Sequence, residues 1–331
     1  MIFRKSLRRA VPYQIHAVSR RDRIRLDMNE NPLLCSRKVT EALKNISSED
    51  VSIYPEYGDF IEKIARFHGL KPENFLLANG ADDAIRAVVD ACVESGDEAV
   101  KLSPTYAMHE IFLRVRNAKI VEVKYKDFVF PAEEILKRIS RKTRLVIIVN
   151  PDSPTGISAG KKVIIEILKR ARRFNAAVLL DETYCHFAGG TYARLVKVFD
   201  NLVVVHSFAK VFGLAGLRLG LIISNRANIK ELSKTSLPYA AGSAAVIAGS
   251  AAIEDREFIA RVIRETSVEK NFLFRELKKI VSDVRMTGTN FLIVFFGAME
   301  ATIRKRLAEK GILVRGIDQK SFLKGYARLS P

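Results

Sequence analysis

Six short apolar runs are spread through the middle of this chain: NFLLAN, AVKL, RLVIIVN, AAVLLDE, LVVVHS and LRLGLIIS. Each has the length and apolar character of a strand buried on both faces. Between them lie stretches with helical spacing. In KKVIIEILKRARRF, the apolar Val163, Ile164, Ile167, Leu168 and Ala171 recur every three to four residues, while Lys161, Lys162, Glu166, Lys169 and Arg170 face away. This alternation predicts an α/β chain built on a mostly parallel sheet with helices on both faces. After about residue 235 the order changes to a long helical stretch, the strand NFLIVFF, a helix around 301–310 and the strand GILVR. That predicts a second, smaller α+β unit, joined by the N-terminal segment. The expected division is a large domain at 35–235 and a small one formed by 1–34 with 236–331.

Bulk properties narrow the function. A chain of 331 residues with 48% hydrophobic content can fill a large core or two unequal ones. Cys35, Cys92 and Cys185 are widely spaced, with no C-x-x-C pair, which gives neither a disulfide framework nor a zinc signature. A reducing compartment and no metal are expected. The basic N-terminus is not followed by the apolar run of a signal peptide, and no segment approaches the roughly 20 apolar residues that span a bilayer. A cytoplasmic protein is expected. Lys and Arg outnumber Asp and Glu by 55 to 37, a net charge of +18. Outside the N-terminal arm and KRARR at 169–173, however, the basic residues are interleaved with acids. The charge therefore predicts a basic surface that favours anionic small molecules rather than nucleic acid.

Four polar clusters fall at the ends of the expected strands, where open α/β sheets bind their ligands. Asn79-Gly80-Ala81-Asp82-Asp83 opens a helix, and its free N–H groups suit a phosphate, although Asp82 and Asp83 also serve as ordinary N-terminal acids of a helix. Asn150-Pro151-Asp152-Ser153-Pro154-Thr155-Gly156 is a rigid turn that fixes the Asn150 amide. In Asp181-Glu182-Thr183-Tyr184 an acid sits at the tip of a buried strand, where it needs a positive partner such as a pyridinium nitrogen. The stretch from Ser207 to Gly220 carries Lys210 in apolar, glycine-punctuated surroundings, with Ser207 and Arg218 nearby as phosphate ligands. A buried lysine loses its proton readily and becomes a Schiff-base nucleophile.

These motifs resemble the fold-type I pyridoxal-phosphate (PLP) enzymes, the aspartate aminotransferase superfamily. The likeness rests on Asn-Pro-x-x-Pro-Thr-Gly at 150–156, Asp-Glu-x-Tyr at 181–184, and Ser-Phe-x-Lys followed by Gly-Leu-x-Gly-x-Arg-x-Gly at 207–220. Within the superfamily, further pieces resemble the histidinol-phosphate aminotransferases: Pro12-Tyr13, Leu26-Asp27-x-Asn29-Glu30-Asn31-Pro32, Tyr54-Pro55, Gly80-Ala81-Asp82, Pro104-Thr105-Tyr106, Thr289-Asn290-Phe291 and Ala327-Arg328-Leu329. Several of these pieces also occur in threonine-phosphate decarboxylases of cobalamin synthesis and in broader aromatic or aliphatic aminotransferases.

The resemblance implies a seven-stranded, mostly parallel sheet and a homodimer with shared active sites. It implies Lys210 as the lysine that carries the cofactor, Asp181 at the pyridine nitrogen, Tyr184 and Asn150 at the phenolic oxygen and Tyr106 stacked on the ring. The phosphate falls to Ala81, Asp82, Ser207 and Arg218, with Tyr54 from the second subunit. Arg328 is the implied anchor for substrate carboxylate or phosphate, with Tyr13, Asn31, Arg315 and Tyr239 as further pocket candidates. The implied reaction converts histidinol phosphate and 2-oxoglutarate into imidazole-acetol phosphate and glutamate, in histidine biosynthesis. Two departures stand out. Ala209 replaces a frequent Ser before the lysine, and the chain stops at Pro331, so weaker support for Arg328 is expected.

Overall fold

Strands covered on both sides need two apolar faces, and the central runs supply them by alternation. The computed structural model describes residues 2–4, 6–7, 11–13, 19–317 and 321–331. Its strands are β1 (Ile24–Leu26), β2 (Phe75–Asn79), β3 (Glu98–Ser103), β4 (Lys119–Lys124), β5 (Thr143–Val149), β6 (Ala177–Asp181), β7 (Leu202–Ser207), β8 (Leu219–Ile223), β9 (Val284–Arg285), β10 (Leu292–Phe295), β11 (Ile312–Gly316) and β12 (Tyr326–Leu329).

The large sheet has seven strands in the order β2-β8-β7-β6-β5-β3-β4. All neighbours run parallel except β8, which is antiparallel to both β2 and β7. Val146, Ile148, Leu180 and Val204 point into one core cluster, while Leu145, Ile147, Leu179 and Val203 point into the other. The helix Lys161–Arg173 covers one face through Ile164, Ile167, Leu168 and Ala171. The helix Gly80–Cys92 covers the other through Ala84, Ile85, Val88 and Val89. Strand β4 is not among the six apolar runs because it lies at the sheet edge, where KIVEVK leaves lysines exposed.

Two glycines let that second helix start against the sheet. Gly80 has φ +78°, and a Cβ there would meet Arg218 Nη2 at 2.6 Å. A Cβ on Gly220 would meet the Gly80 carbonyl carbon at 2.5 Å. The close approach of helix start to β8 therefore requires both residues to lack a side chain.

The second sheet has five strands in the order β1-β11-β12-β10-β9. Leu292, Val294, Val314, Ala327 and Leu329 pack there against Leu273 and Leu277 of the long helix Arg256–Leu277. Strands β10 and β11 match the apolar runs read from the sequence. Strands β1, β9 and β12 are two to four residues long and carry Arg25, Arg285 and Arg328, so only pairing with neighbours reveals them. The main core continues beyond residue 235. Ala245, Ala248, Ala252 and Ile253 of helix Ser243–Glu254, with Ile259 and Val262 after it, join the same cluster as the large sheet. Among the described residues, no helix is long and apolar enough to cross a membrane.

Candidate active site

The ends of β3, β5, β6 and β7 open on one cavity of about 670 Å³, whose lining includes the last residue of each: Ser103, Val149, Asp181 and Ser207. Lys210 and Asp181, the two residues on which the expected chemistry depends, both line it. The Lys210 ammonium donates to the Met28 carbonyl at 3.0 Å and stands 5.6 Å from the centre of the Tyr184 ring. Among the described residues no carboxylate lies within ion-pair distance of it.

Asp181 is almost wholly buried. Burial alone would raise its pKa, but His109 and Thr183 more than offset this and hold the carboxyl below its usual value. His109 Nε2 lies 3.3 Å from Oδ2, and the Thr183 N–H and hydroxyl donate to Oδ1 at 3.0 and 2.7 Å. The other His109 nitrogen faces the Tyr106 carbonyl at 3.2 Å. An ionised carboxylate is thus held at the cavity wall without a protein cation of permanent charge beside it.

Ala81 and Asp82 stand at the N-terminus of helix Gly80–Cys92, beside Ser207 and Arg218 on the same cavity. Arg218 pairs with the Asp82 carboxylate at 3.0 Å, and the Tyr106 hydroxyl donates to the other oxygen of that carboxylate at 2.7 Å. Burial, then Asp82, pushes the Tyr106 phenol well up, so it remains a donor. Arg218 holds a left-handed backbone, φ +53°, which turns its side chain over the helix start. Free N–H groups, a hydroxyl and a guanidinium converge here in the manner of an anion cradle.

The opposite side carries arginines. Arg328 donates to Ser153 Oγ and to the Asp27 carbonyl, each at 2.8 Å, and lies over the Phe291 ring at 5.2 Å. Its Nε is buried with no hydrogen-bond partner among the described residues, and burial lowers its pKa. Pairing of β12 with β10 and β11 holds the backbone of the residue. Arg315 reaches the Tyr13 hydroxyl at 3.4 Å, and Tyr13 packs edge-on to Tyr106 at 6.3 Å.

Four residues singled out from the sequence do not line the cavity. Asn150 sits just beneath it, its side-chain oxygen accepting from the Ala159 N–H at 2.7 Å. Asn31 is a structural bracket that donates to the Val211 carbonyl at 2.9 Å and accepts from the Leu33 N–H. Tyr54 and Tyr239 stack on each other at 4.3 Å on the exposed surface, so neither reaches this chain's own cavity. Two residues, His109 and Arg20, escaped the sequence reading, and Asn29 entered it only as part of the 26–32 motif, without a role of its own. His109 gave only a position three after Tyr106. Asn29, buried with φ +54°, donates to the Tyr184 hydroxyl at 2.8 Å. Arg20 lines the cavity while bound to Asp27 at 2.6 Å and Glu30 at 2.9 Å, and its surroundings carry no motif.

The donor set fits PLP. A lysine without a carboxylate partner, a carboxylate kept ionised, a tyrosine hydroxyl that accepts from Asn29 and so keeps its own proton to give, and an anion cradle that no added Cβ could share all line the same cavity.

Comparison with known proteins agrees with this geometry. The family model "Aminotransferase class I and II" matches residues 21–331. Histidinol-phosphate aminotransferase 1 of Carboxydothermus hydrogenoformans is 31% identical over 318 residues, covering 95% of this chain and 89% of that protein. The histidinol-phosphate aminotransferase of Clostridium novyi is 29% identical over 342 residues, covering 99% and 92%. Among solved structures, the histidinol-phosphate aminotransferase of Sinorhizobium meliloti in complex with pyridoxal-5'-phosphate superposes with a TM-score of 0.84 at 23% identity, covering 93% of this chain and 86% of that one; it shares the fold. With the family matched over nearly its whole length, the chain belongs to the class I and II aminotransferases, fold-type I enzymes that work with pyridoxal 5'-phosphate.

Proposed function

We propose that the enzyme transfers the amino group of histidinol phosphate to 2-oxoglutarate, giving imidazole-acetol phosphate and glutamate in histidine biosynthesis. The observation that carries this reading is the half-buried Arg328, with its buried Nε unpartnered among the described residues, beside Arg315 and Tyr13 and facing the cavity with guanidinium capacity for a phosphate or a carboxylate. The names of the relatives support the same substrate.

Bound in the cavity, PLP supplies an aldehyde that takes up the amino group and a ring that accepts the electron pair released at the neighbouring carbon. The chain's own residues do the rest. Lys210 would hold the cofactor aldehyde and, once free, would move the proton at the amine-bearing carbon as general base and acid. Asp181, kept ionised by His109 and Thr183, would hold a proton on the pyridine nitrogen. Tyr184, whose hydroxyl oxygen already accepts from Asn29, would direct its own proton at the phenolic oxygen, and the Asn150 amide would support the same oxygen from beneath. Tyr106 would cover the ring, and the N–H groups of Ala81 and Asp82, with Ser207 and Arg218, would hold the phosphate.

The same reading includes a cytoplasmic homodimer in which Tyr54 completes the partner's phosphate site. Exposure of Val51, Ile53, Tyr54, Leu237 and Tyr239 on one surface supports it. The large PLP-binding and small domains are part of it too, and the core contacts of Ile259 and Val262 favour a boundary inside the helix Arg256–Leu277 over one at 235.

Purified enzyme given glutamate and imidazole-acetol phosphate is expected to form histidinol phosphate. Release of carbon dioxide from threonine phosphate, with no need for a keto acid, would replace this reading with the decarboxylase.

A further inference from the structure

Asp181 lines the cavity, whereas Glu182, next in sequence, does not. Its carboxylate enters a buried polar cluster under the site. Among the described residues, Glu182, Cys185 and His206 form the one set of three metal-ligating side chains whose donor atoms all lie within 4.8 Å of one another. All three are at most 3% exposed. His206 Nε2 stands 3.0 Å from Glu182 Oε2, 3.2 Å from Thr191 Oγ1 and 3.9 Å from Cys185 Sγ. His186 Nδ1 stands 3.6 Å from the same sulfur. His68 packs its ring 5.0 Å from that of His206, and its own buried Nδ1 has no hydrogen-bond partner among the described residues.

The arrangement has too few protons for its lone pairs. The Thr191 hydroxyl donates to Glu182 Oε2. One N–H on His206 can serve only one of the three groups it faces, and a thiol is a weak donor. A buried convergence of sulfur, imidazole and carboxylate is the donor set of zinc. With Zn–S near 2.3 Å and Zn–N or Zn–O near 2.0–2.1 Å, the edges of a tetrahedral site measure roughly 3.3–3.6 Å. The distances of 3.0 Å from His206 Nε2 to Glu182 and 3.9 Å to the Cys185 sulfur lie within a few tenths of an ångström of that, and the third edge, between Glu182 and Cys185, is at most 4.8 Å.

The geometry points to a buried zinc site in which Glu182, Cys185 and His206 are the protein ligands and a water molecule takes the fourth position, His186 standing against the sulfur outside the ligand set. On binding, the Cys185 thiol gives its proton to solvent, and the neutral His206 ring keeps its single proton on Nδ1. Thiolate and carboxylate balance the dication, so the buried site carries no net charge. The Tyr192 N–H, donating to Glu182 Oε1 at 2.7 Å, and Thr191 orient the carboxylate from outside. Phe67, Phe75 and Phe212 surround the histidines with apolar rings. The site would clamp the segment carrying Tyr184 to β7, the strand that leads to Lys210.

The test uses tag-free holoenzyme dialysed first against zinc and then against metal-free buffer. About one zinc per chain is expected by mass spectrometry. Exchange for cobalt should give the strong visible bands of tetrahedral coordination together with thiolate-to-cobalt charge transfer. Cys185→Ser should lose the charge-transfer band and most of the metal, whereas His186→Ala, altering a half-buried ring outside the ligand set, should keep the metal and leave the cofactor circular dichroism unchanged. Zinc-free wild type after this treatment would overturn the proposal, as would metal retained equally by Cys185→Ser.

Discussion

Asp152 offers a quantitative check on the electrostatics around the site. It is fully buried, and its carboxylate accepts from the hydroxyls of Thr105 and Thr155, the latter at 2.7 Å. Burial outweighs these bonds and raises its pKa from 3.8 to about 6. Between those values the folded protein binds the proton that the unfolded chain has already released, so stability falls as pH rises through this window. The cost at high pH is about 3 kcal/mol, since each tenfold change in proton affinity is worth about 1.36 kcal/mol. Replacing Asp152 by Asn keeps the shape, leaves hydroxyls that can turn to match the amide, and removes the charge. Linkage gives roughly half of that cost already present at pH 5, so the stability of Asp152→Asn relative to wild type should grow by about 1.4 kcal/mol between pH 5 and pH 8. It should level off above about pH 7. Reversible urea unfolding of both proteins at equal concentration across this range measures the difference directly, and other titrating groups cancel. A gap that stays constant or narrows with pH would refute the reasoning.

Other expectations follow from single contacts. Lys210→Ala should abolish borohydride fixation of the cofactor and slow transamination by at least about 10²–10⁴-fold, read by the loss of cofactor absorbance change on adding glutamate. His109→Phe leaves the burial of Asp181 unopposed by the imidazole, so the carboxyl pKa should rise. The acidic limb of the kcat/KM profile should then move to higher pH, with kcat lowered about 10- to 100-fold. Arg328→Lys should raise KM for anionic substrates about 10- to 100-fold with the cofactor spectrum unchanged, because an ammonium cannot form the bidentate contact. Gly220→Ala should cost about 1–3 kcal/mol in thermal or urea unfolding and weaken PLP affinity, since the new methyl meets the backbone of Gly80.

Much of the site was legible because short motifs need only local geometry. Lys210, Asp181, Tyr184, Ser207 and Arg218 lie within two strand-and-turn segments, so their residue types and spacing already imply a common edge of the sheet. Tyr54 and Tyr239 were a different matter. Tyr54 was expected at the partner's site and Tyr239 in the pocket, but that the two stack on an outer face is set by how the helix Ser243–Glu254 and the segment before it pack. Asn31 resembled a substrate ligand and proved to tie the N-terminal segment to the carbonyl of Val211. His109 had no local signal and the role of Asn29 none, because each works through a partner distant in sequence.

The alternation of apolar runs with amphipathic stretches determined the α/β class, the buried sheet and the order of its motifs, because side-chain periodicity is a property of a dozen neighbouring residues. Tertiary structure decided what no window of sequence contains. Strands β1, β9 and β12 exist through pairing, the core passes beyond 235 into the mostly apolar helix Ser243–Glu254, and Asp181 acquires His109 from the helix Ala107–Val115. Glu182, Cys185 and the histidines at 68, 186 and 206, which show no metal spacing along the chain, meet only once β6, β7 and helix Gly58–His68 have packed. Contacts between residues far apart in sequence depend on global packing, and the chain encodes them collectively rather than locally.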